Sequence, residues 1–237
     1  MTKLLITEIT RMGPAFCVIG LEHEKQTFRS LRPIPLRAHS WRYFPFQRGD
    51  VLDCQLAPIA GKRPHVEDRL STRGFLRRTS VAEAEVVGYL RRAEIARSLP
   101  ELFGCILHEN KKGSGLYARR AEPRRSICGA ETRNTRLELC GNELRATLVL
   151  PSGEVLRDLP VVDRDWREFV DAALAKERGA NRVARFQRFL NSQFQLKVLS
   201  CPHHFVRLGL TRPYDKRCWL MLDTLFPLPQ REWLEEF

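Results

Sequence analysis

Residues 25–48 hold Lys25, Arg29, Arg32, Arg37, Arg42 and Arg48 and no acidic side chain, with Phe28, Trp41, Tyr43, Phe44 and Phe46 threaded between them. Cations along a groove neutralise a phosphate backbone, and rings stack on the bases, each stacked base contributing about 1–3 kcal/mol. Arginine can do both, because its planar guanidinium forks onto phosphate and lies flat on rings. The stretch predicts a surface for single-stranded nucleic acid, with Trp41 and Tyr43 as its informative rings. In the alternative reading Phe28, Phe44 and Phe46 belong to a core and only the arginines meet water.

Three further groups of cations extend this reading. Residues 107–136 carry eight Lys and Arg against three acidic residues, among them Arg119, Arg120, Arg124 and Arg125. Arg182, Arg185 and Arg188 recur every three residues, which puts them near one face of a helix, as a phosphate track or a plain solvated face. Residues 211–217 place Arg212, Tyr214, Lys216 and Arg217 between two apolar runs, as a solvated hairpin tip or a binding loop.

His65-Val66-Glu67-Asp68 could do different chemistry. His65 and Glu67 alternate, so a strand would project both to one side. A hydrolytic metal site needs several ligands and a position for water, and no second cluster completes one. The expected role is a structural polar cluster that fixes arginines through charge-assisted hydrogen bonds, with a metal-dependent nuclease as an alternative. Cys201-Pro202-His203-His204 is too compressed for a zinc spacing. The chain has no P-loop, G-x-G-x-x-G, nucleophile elbow or H-E-x-x-H, which removes the commonest routes to an enzyme. No catalytic residue, metal or cofactor is implied.

The elements that must position these residues are mainly strands. Residues 3–10, 15–21, 27–31 and 51–56 are short apolar runs, and Gly13-Pro14 turns the chain between the first two. Ser80 to Glu83 has the form of a capping box before a helix, and a second helix falls within 93–103, with Pro100 near an end. After a basic linker or loop at 107–126, strands restart at 136–140, 144–150 and 154–162. Trp166, Phe169, Val170, Ala173 and Leu174 then lie at helical spacing, with Asp163 or Asp165 as the cap, and Val183, Phe186, Phe189 and Leu190 mark another helix. Residues 196–200, 205–210 and 218–222 are expected to close the sheet. Three strands, a helix and two more strands is the order of an OB-fold. The fold class is therefore mainly β with helices (α+β), two OB-like barrels packed together, over residues 1–106 and 127–237. Phe16 to Leu21 and Phe205 to Leu210 share F-x-x-[IL]-G-L, a weak sign of two related barrels.

Four motifs carry a family resemblance: I-T-E-I-T-R-M at 6–12 with Cys17-Val18-Ile19-Gly20 after it, Arg29 to Pro33, Pro64 to Asp68, and Gly209 to Pro213 with Cys218-Trp219. In that order, over nearly the whole chain, they resemble the dual OB-containing domain of prokaryotic proteins. The resemblance implies two packed OB-like barrels, association with nucleic acid, and an accessory place in mobile-element or phage-defence systems. The arginine-rich stretch at 107–136 matches no part of that family's pattern.

Composition sets the outer bounds. Lys and Arg number 40 against 28 Asp and Glu, a formal charge of +12, which favours polyanionic partners. The seven cysteines form no C-x-x-C and are odd in number, so reduced, buried thiols are expected. No apolar run approaches the ~20 residues of a membrane helix, and residues 1–8 do not read as a signal peptide, which predicts a cytoplasmic protein with no membrane contact. A competing assignment is a protein–protein adaptor in a larger complex, with Trp233, Leu234 and Phe237 either anchoring the partner or packing on their own lobe.

Overall fold

The computed structural model describes residues 1–22, 28–38, 40–59, 64–93, 95–111, 115–176, 179, 181–195, 201 and 204–236. Its first strand is long because the apolar run at 4–9 continues into Thr10, Arg11 and Met12. This strand, β1 (Thr2–Met12), turns at Gly13 (φ +63°) into the antiparallel β2 (Ala15–Glu22), with Leu5 opposite Leu21 and Met12 opposite Ala15. The register shifts by one between Ile6 and Glu8, the kind of bulge that bends a strand and increases its twist. Next come β3 (Ser30–Pro35), beside β2, and β4 (Asp50–Cys54), beside the start of β1.

Two pairings curl this sheet back on itself. After one residue, Gln55, β4 resumes as β5 (Leu56–Pro58), which pairs antiparallel with β6 (Asp68–Ser71). β6 also runs parallel to β3, with Arg32 opposite Asp68. The strands therefore follow one another as β1, β2, β3, β6, β5 and, through Gln55, β4 and β1 again. β7 (Leu76–Ser80) continues along the outer edge of β4.

Residues 83–103 form α1 (Glu83–Arg92), β8 (Ile95–Ala96) and α2 (Leu99–Phe103). The expected capping register is two residues early. Ser80 stays in β7, donating to Asp50 at 2.6 Å, and Glu85 reaches back to accept from the Ala82 amide. Pro100 falls in the first turn of α2, where its missing N–H costs nothing.

The stretch expected as a linker, 107–126, contributes β9 (His108–Glu109) and β10 (Leu116–Arg119) to the second sheet. β11 (Ile127–Ala130) and β12 (Asn134–Cys140) follow, then β13 (Glu143–Val149) and β14 (Val155–Pro160) in a meander. α3 (Arg164–Lys176) begins at Asp163, whose Oδ1 accepts from the amides of Asp165 (2.8 Å) and Trp166 (3.1 Å). α4 (Arg182–Phe189) comes next. β15 (Phe205–Leu210) pairs antiparallel with β11 and with β16 (Arg217–Phe226), and β14 runs out into a parallel bridge between Val161 and Leu222 of β16. The expected strand at 196–200 lies outside the described residues.

Both halves thus share one connectivity. With β4 and β5 counted as one strand, and likewise β11 and β12, which lie three residues apart, the first strand pairs with the second and the fourth, and the third meets the fifth in parallel, in the second half through the single Val161–Leu222 bridge. The F-x-x-[IL]-G-L echo does not mark equivalent strands, since β2 is second in its ring and β15 fourth. Each ring has its own apolar filling. A third cluster joins them: Leu5, Leu21 and Val51 of the first lobe pack with Phe205 and Phe226 of the second and Val86, Val87 and Leu90 of α1. Trp233 packs into its own lobe, and Phe237 lies outside the described residues.

Candidate nucleic-acid interface

The two Arg-Pro pairs meet at a single carboxylate. Arg32 Nη1 donates to Asp68 Oδ1 at 3.2 Å and Arg212 Nη1 to Asp68 Oδ2 at 2.6 Å. The parallel pairing of β3 and β6 sets Arg32 opposite Asp68, and Arg212 arrives from the loop after β15 of the other lobe. Arg32 Nη1 also donates to His65 Nδ1 (2.9 Å), and its Nη2 to Ser126 Oγ (2.9 Å). Glu67 accepts from both the amide and the hydroxyl of Ser126, each at 2.8 Å. His65, Glu67 and Asp68 are thus tied to Arg32, Arg212 and Ser126. Among the described residues no group of three or more His, Cys, Asp or Glu gathers as metal ligands. Burial and the two nearby guanidiniums push the His65 imidazole down to a pKa of about 2, so it is neutral and accepts at Nδ1.

Two more buried arginines cross the same seam. Arg207 pairs with Glu8 and donates to Ser30 Oγ at 2.8 Å. Arg48 Nη2 donates to Asp163 Oδ2 at 2.7 Å and lies 5.5 Å from the centroid of Phe226. Asp223 is buried beside these groups. A Cβ at Gly209 would overlap its carboxyl, so the neighbouring strand must carry glycine there. Burial, with Glu8 nearby, raises the Asp223 carboxyl to about 8.

These positions correct part of the sequence reading. Arg32 and Arg48 are not available to a phosphate: their side chains are 6% and 3% exposed. Exposing a paired, desolvated guanidinium would abandon its carboxylate inside. Trp41 is a core ring as well. Partly buried, it donates from Nε1 to Pro33 O at 3.1 Å, and its ring meets Phe44 and Phe75 at centroid distances of 5.8 and 5.3 Å, tilted on the one and edge-on to the other. Arg29, Arg37, Arg42 and Tyr43 are exposed, as are Arg182 and Arg185 on α4. Arg37, Arg42 and Tyr43 lie in the connection that follows β3.

The outer face of β9, β10 and β16 brings rings and cations together. Strand alternation sends Ala118, Cys218 and Leu220 inward, all at most 2% exposed, and their neighbours outward. His108 lies opposite Tyr117, Tyr117 opposite Trp219, and Arg119 opposite Arg217. The ring centroids are 5.5 Å apart for His108 and Tyr117 and 5.4 Å for Tyr117 and Trp219. The Arg217 guanidinium sits 4.9 Å from the Tyr117 centroid. The hairpin tip beyond it is tight. Tyr214 and Arg217 exchange both backbone hydrogen bonds around Asp215 and Lys216, each at positive φ, a two-residue turn matched to strand twist. Tyr214 is 78% exposed there, and the Arg120 amide donates to Lys216 O.

Of the residues expected to bind, Arg119 and Arg217 share this face, and Arg120 and Tyr214 are exposed beside it. Tyr117, Trp219 and His108 were missed. The available signal was the alternation in L-Y-A-R at 116–119 and in R-C-W-L at 217–220. Arg119 and Arg217 stand directly opposite, a like-charge pairing that weakens a sheet. Among the described residues Arg119 has Glu122 at 3.7 Å, and Arg217 has no carboxylate in ion-pair range. Such a pair is a suitable cradle for an anion.

A second gathering lies between the lobes. A cleft of about 910 Å³ is lined by Phe28, Arg29 and Glu67 together with Arg92, Arg124 and Arg125. No family model, curated protein or solved structure matches the chain.

Proposed function

We propose that the protein is a non-catalytic nucleic-acid-binding protein that holds single-stranded DNA or RNA across the outer face of β9, β10 and β16. The carrying observation is the ladder of His108, Tyr117 and Trp219 with Arg119 and Arg217 beside it on the same face. Rings offer stacking to any base, and the arginines bond the phosphates between them. Each lobe is an OB-like barrel in this reading. Supporting it are the shared connectivity, the helices between the third and fourth strands of the second lobe, and the resemblance to the dual OB-containing domain. The net charge of +12 suits a polyanion. That resemblance also suggests a cytoplasmic accessory role in a prokaryotic defence or mobile-element system. Among the described residues no helix is long and apolar enough to cross a membrane.

Fluorescence anisotropy with labelled mixed-sequence DNA and RNA, single- and double-stranded, tests the proposal. Single strands should bind at low salt and weaken steeply as salt rises. Tyr117→Ala with Trp219→Ala should weaken them strongly. Absence of binding at low salt, or undiminished binding by that variant, would overturn it.

A further inference from the structure

We propose that the cleft between the lobes is a separate site for the 5′-diphosphate or triphosphate of a nucleotide-sized ligand. Its position does not depend on the ring ladder, and none of the ladder residues lines it. Four arginines face it, Arg29, Arg92, Arg124 and Arg125, against Glu67 and Glu101. Both acidic groups are engaged elsewhere. Glu67 accepts from the Ser126 amide and hydroxyl, and Glu101 Oε2 accepts from the Arg97 amide at 2.9 Å. Among the described residues neither Arg29 nor Arg124 has a carboxylate in ion-pair range, and the cleft as a whole sets four guanidiniums against two carboxylates.

The other two are held in place. Arg125 Nε donates to Leu102 O at 2.8 Å, and its Nη2 to Glu101 O, which ties the guanidinium to the end of α2. Arg92 lies 4.9 Å from the Phe28 centroid and 4.7 Å from that of Tyr89, braced by two rings that also touch each other. Arg124 is placed by a glycine. Gly104 ends α2 at φ +67°, and a Cβ there would come within 3.0 Å of Arg124 Cδ, so the bare backbone lets the arginine stem lie across it.

Guanidinium forks bond phosphate oxygens in pairs, and several around one cavity select a multiply charged phosphate over a single carboxylate. The flat Arg92 guanidinium on its aromatic support offers a surface for a base. A volume of about 910 Å³ lies within the ~300–1,000 Å³ of small-molecule sites. The phosphate chain is the shared chemistry of two sources, a free nucleoside triphosphate and the 5′-triphosphate end of an RNA strand.

Isothermal titration of the full chain with ATP and with inorganic pyrophosphate tests the site. Both should bind, ATP the tighter. Arg29→Ala with Arg124→Ala should weaken both at least about tenfold, the loss expected for hydrogen bonds to charged groups. Arg92→Ala should weaken ATP more than pyrophosphate. Arg119→Gln with Arg217→Gln should leave both unchanged while reducing oligonucleotide binding, which separates this site from the ladder. A 5′-triphosphorylated oligonucleotide that displaces ATP, where its 5′-hydroxyl counterpart does not, assigns the site to an RNA end; failure to displace assigns it to the free nucleotide. No saturable binding of ATP or pyrophosphate, or undiminished binding by the Arg29/Arg124 variant, overturns the proposal. Both replaced side chains are exposed, so a circular dichroism melt close to that of the parent shows that the fold persists.

Discussion

The arginines of the seam and those of the outer sheet are one residue type in two physical states. Arg32, Arg48 and Arg207 are buried, each against a carboxylate supplied by a distant part of the chain. Arg119 and Arg217 stand side by side at the surface, one over a ring and one beside a half-exposed glutamate. The seam uses the guanidinium as a multidentate joint: it bonds two or three acceptors at once and orders both lobes around it. The outer sheet leaves the same group facing solvent and close to rings. A count of arginines therefore does not tell which of them reach the surface: Arg32, Arg48 and Arg207 sit in buried pairs with carboxylates, and the net charge of +12 stays with the rest of the molecule.

The sharpest way to break this contrast is to remove a seam arginine. Arg207→Ala strands Glu8 in the interior and should cost about 3–5 kcal/mol in urea unfolding. Adding Glu8→Leu should recover much of it. If Arg207→Ala instead left stability unchanged and abolished oligonucleotide binding, the seam and the surface would not be distinct.

The seam also predicts a pH response. The Asp223 carboxyl titrates near 8 in the folded state and near 3.9 unfolded. Its contribution is complete below the unfolded value and is lost as pH rises through about 8. His65 acts in the opposite sense. Its neutral form is favoured by the fold, and that contribution fades as pH falls below about 6.5 towards 2. Between pH 6.5 and 8 only Asp223 of the two is active, and stability should drop by about 2 kcal/mol. Unfolding free energies at the two pH values check this, and Asp223→Asn should flatten the difference.

On the outer sheet the expected changes are in binding. Tyr117→Ala should lose about 1–3 kcal/mol of single-strand affinity by anisotropy. Smallest is the effect of charge there. Arg119→Gln with Arg217→Gln should reduce the slope of log affinity against log salt by about 1.4, near 0.7 for each phosphate that is no longer neutralised, and should barely shift the urea midpoint. A seam-sized stability loss from either variant would erase the distinction.

The strands and helices of the second half were legible because local pattern matched local structure. Alternation marked β12 to β14, and the i, i+3, i+4 run from Trp166, capped by Asp163, marked α3. β6 and β7 escaped notice. β6 is four residues long, and β7 is an edge strand exposed at every position, so neither carries an apolar signature. β9 and β10 hid in a basic stretch for the same reason: their meaning is their pairing with β16. Trp41 read as a stacking ring because its neighbours are arginines, whereas Phe44 and Phe75 enclose it in the folded chain.

The sequence alone determined a mainly β chain with helices, its strongly basic balance, and the link of His65 and Asp68 to arginine, whereas Glu67 bonds Ser126 instead. The tertiary structure decided which arginines are joints and which face solvent. Arg32, Arg48 and Arg207 find Asp68, Asp163 and Glu8 at separations of 36, 115 and 199 residues. Burial of a charge depends on whether such a partner arrives, and no local pattern records that.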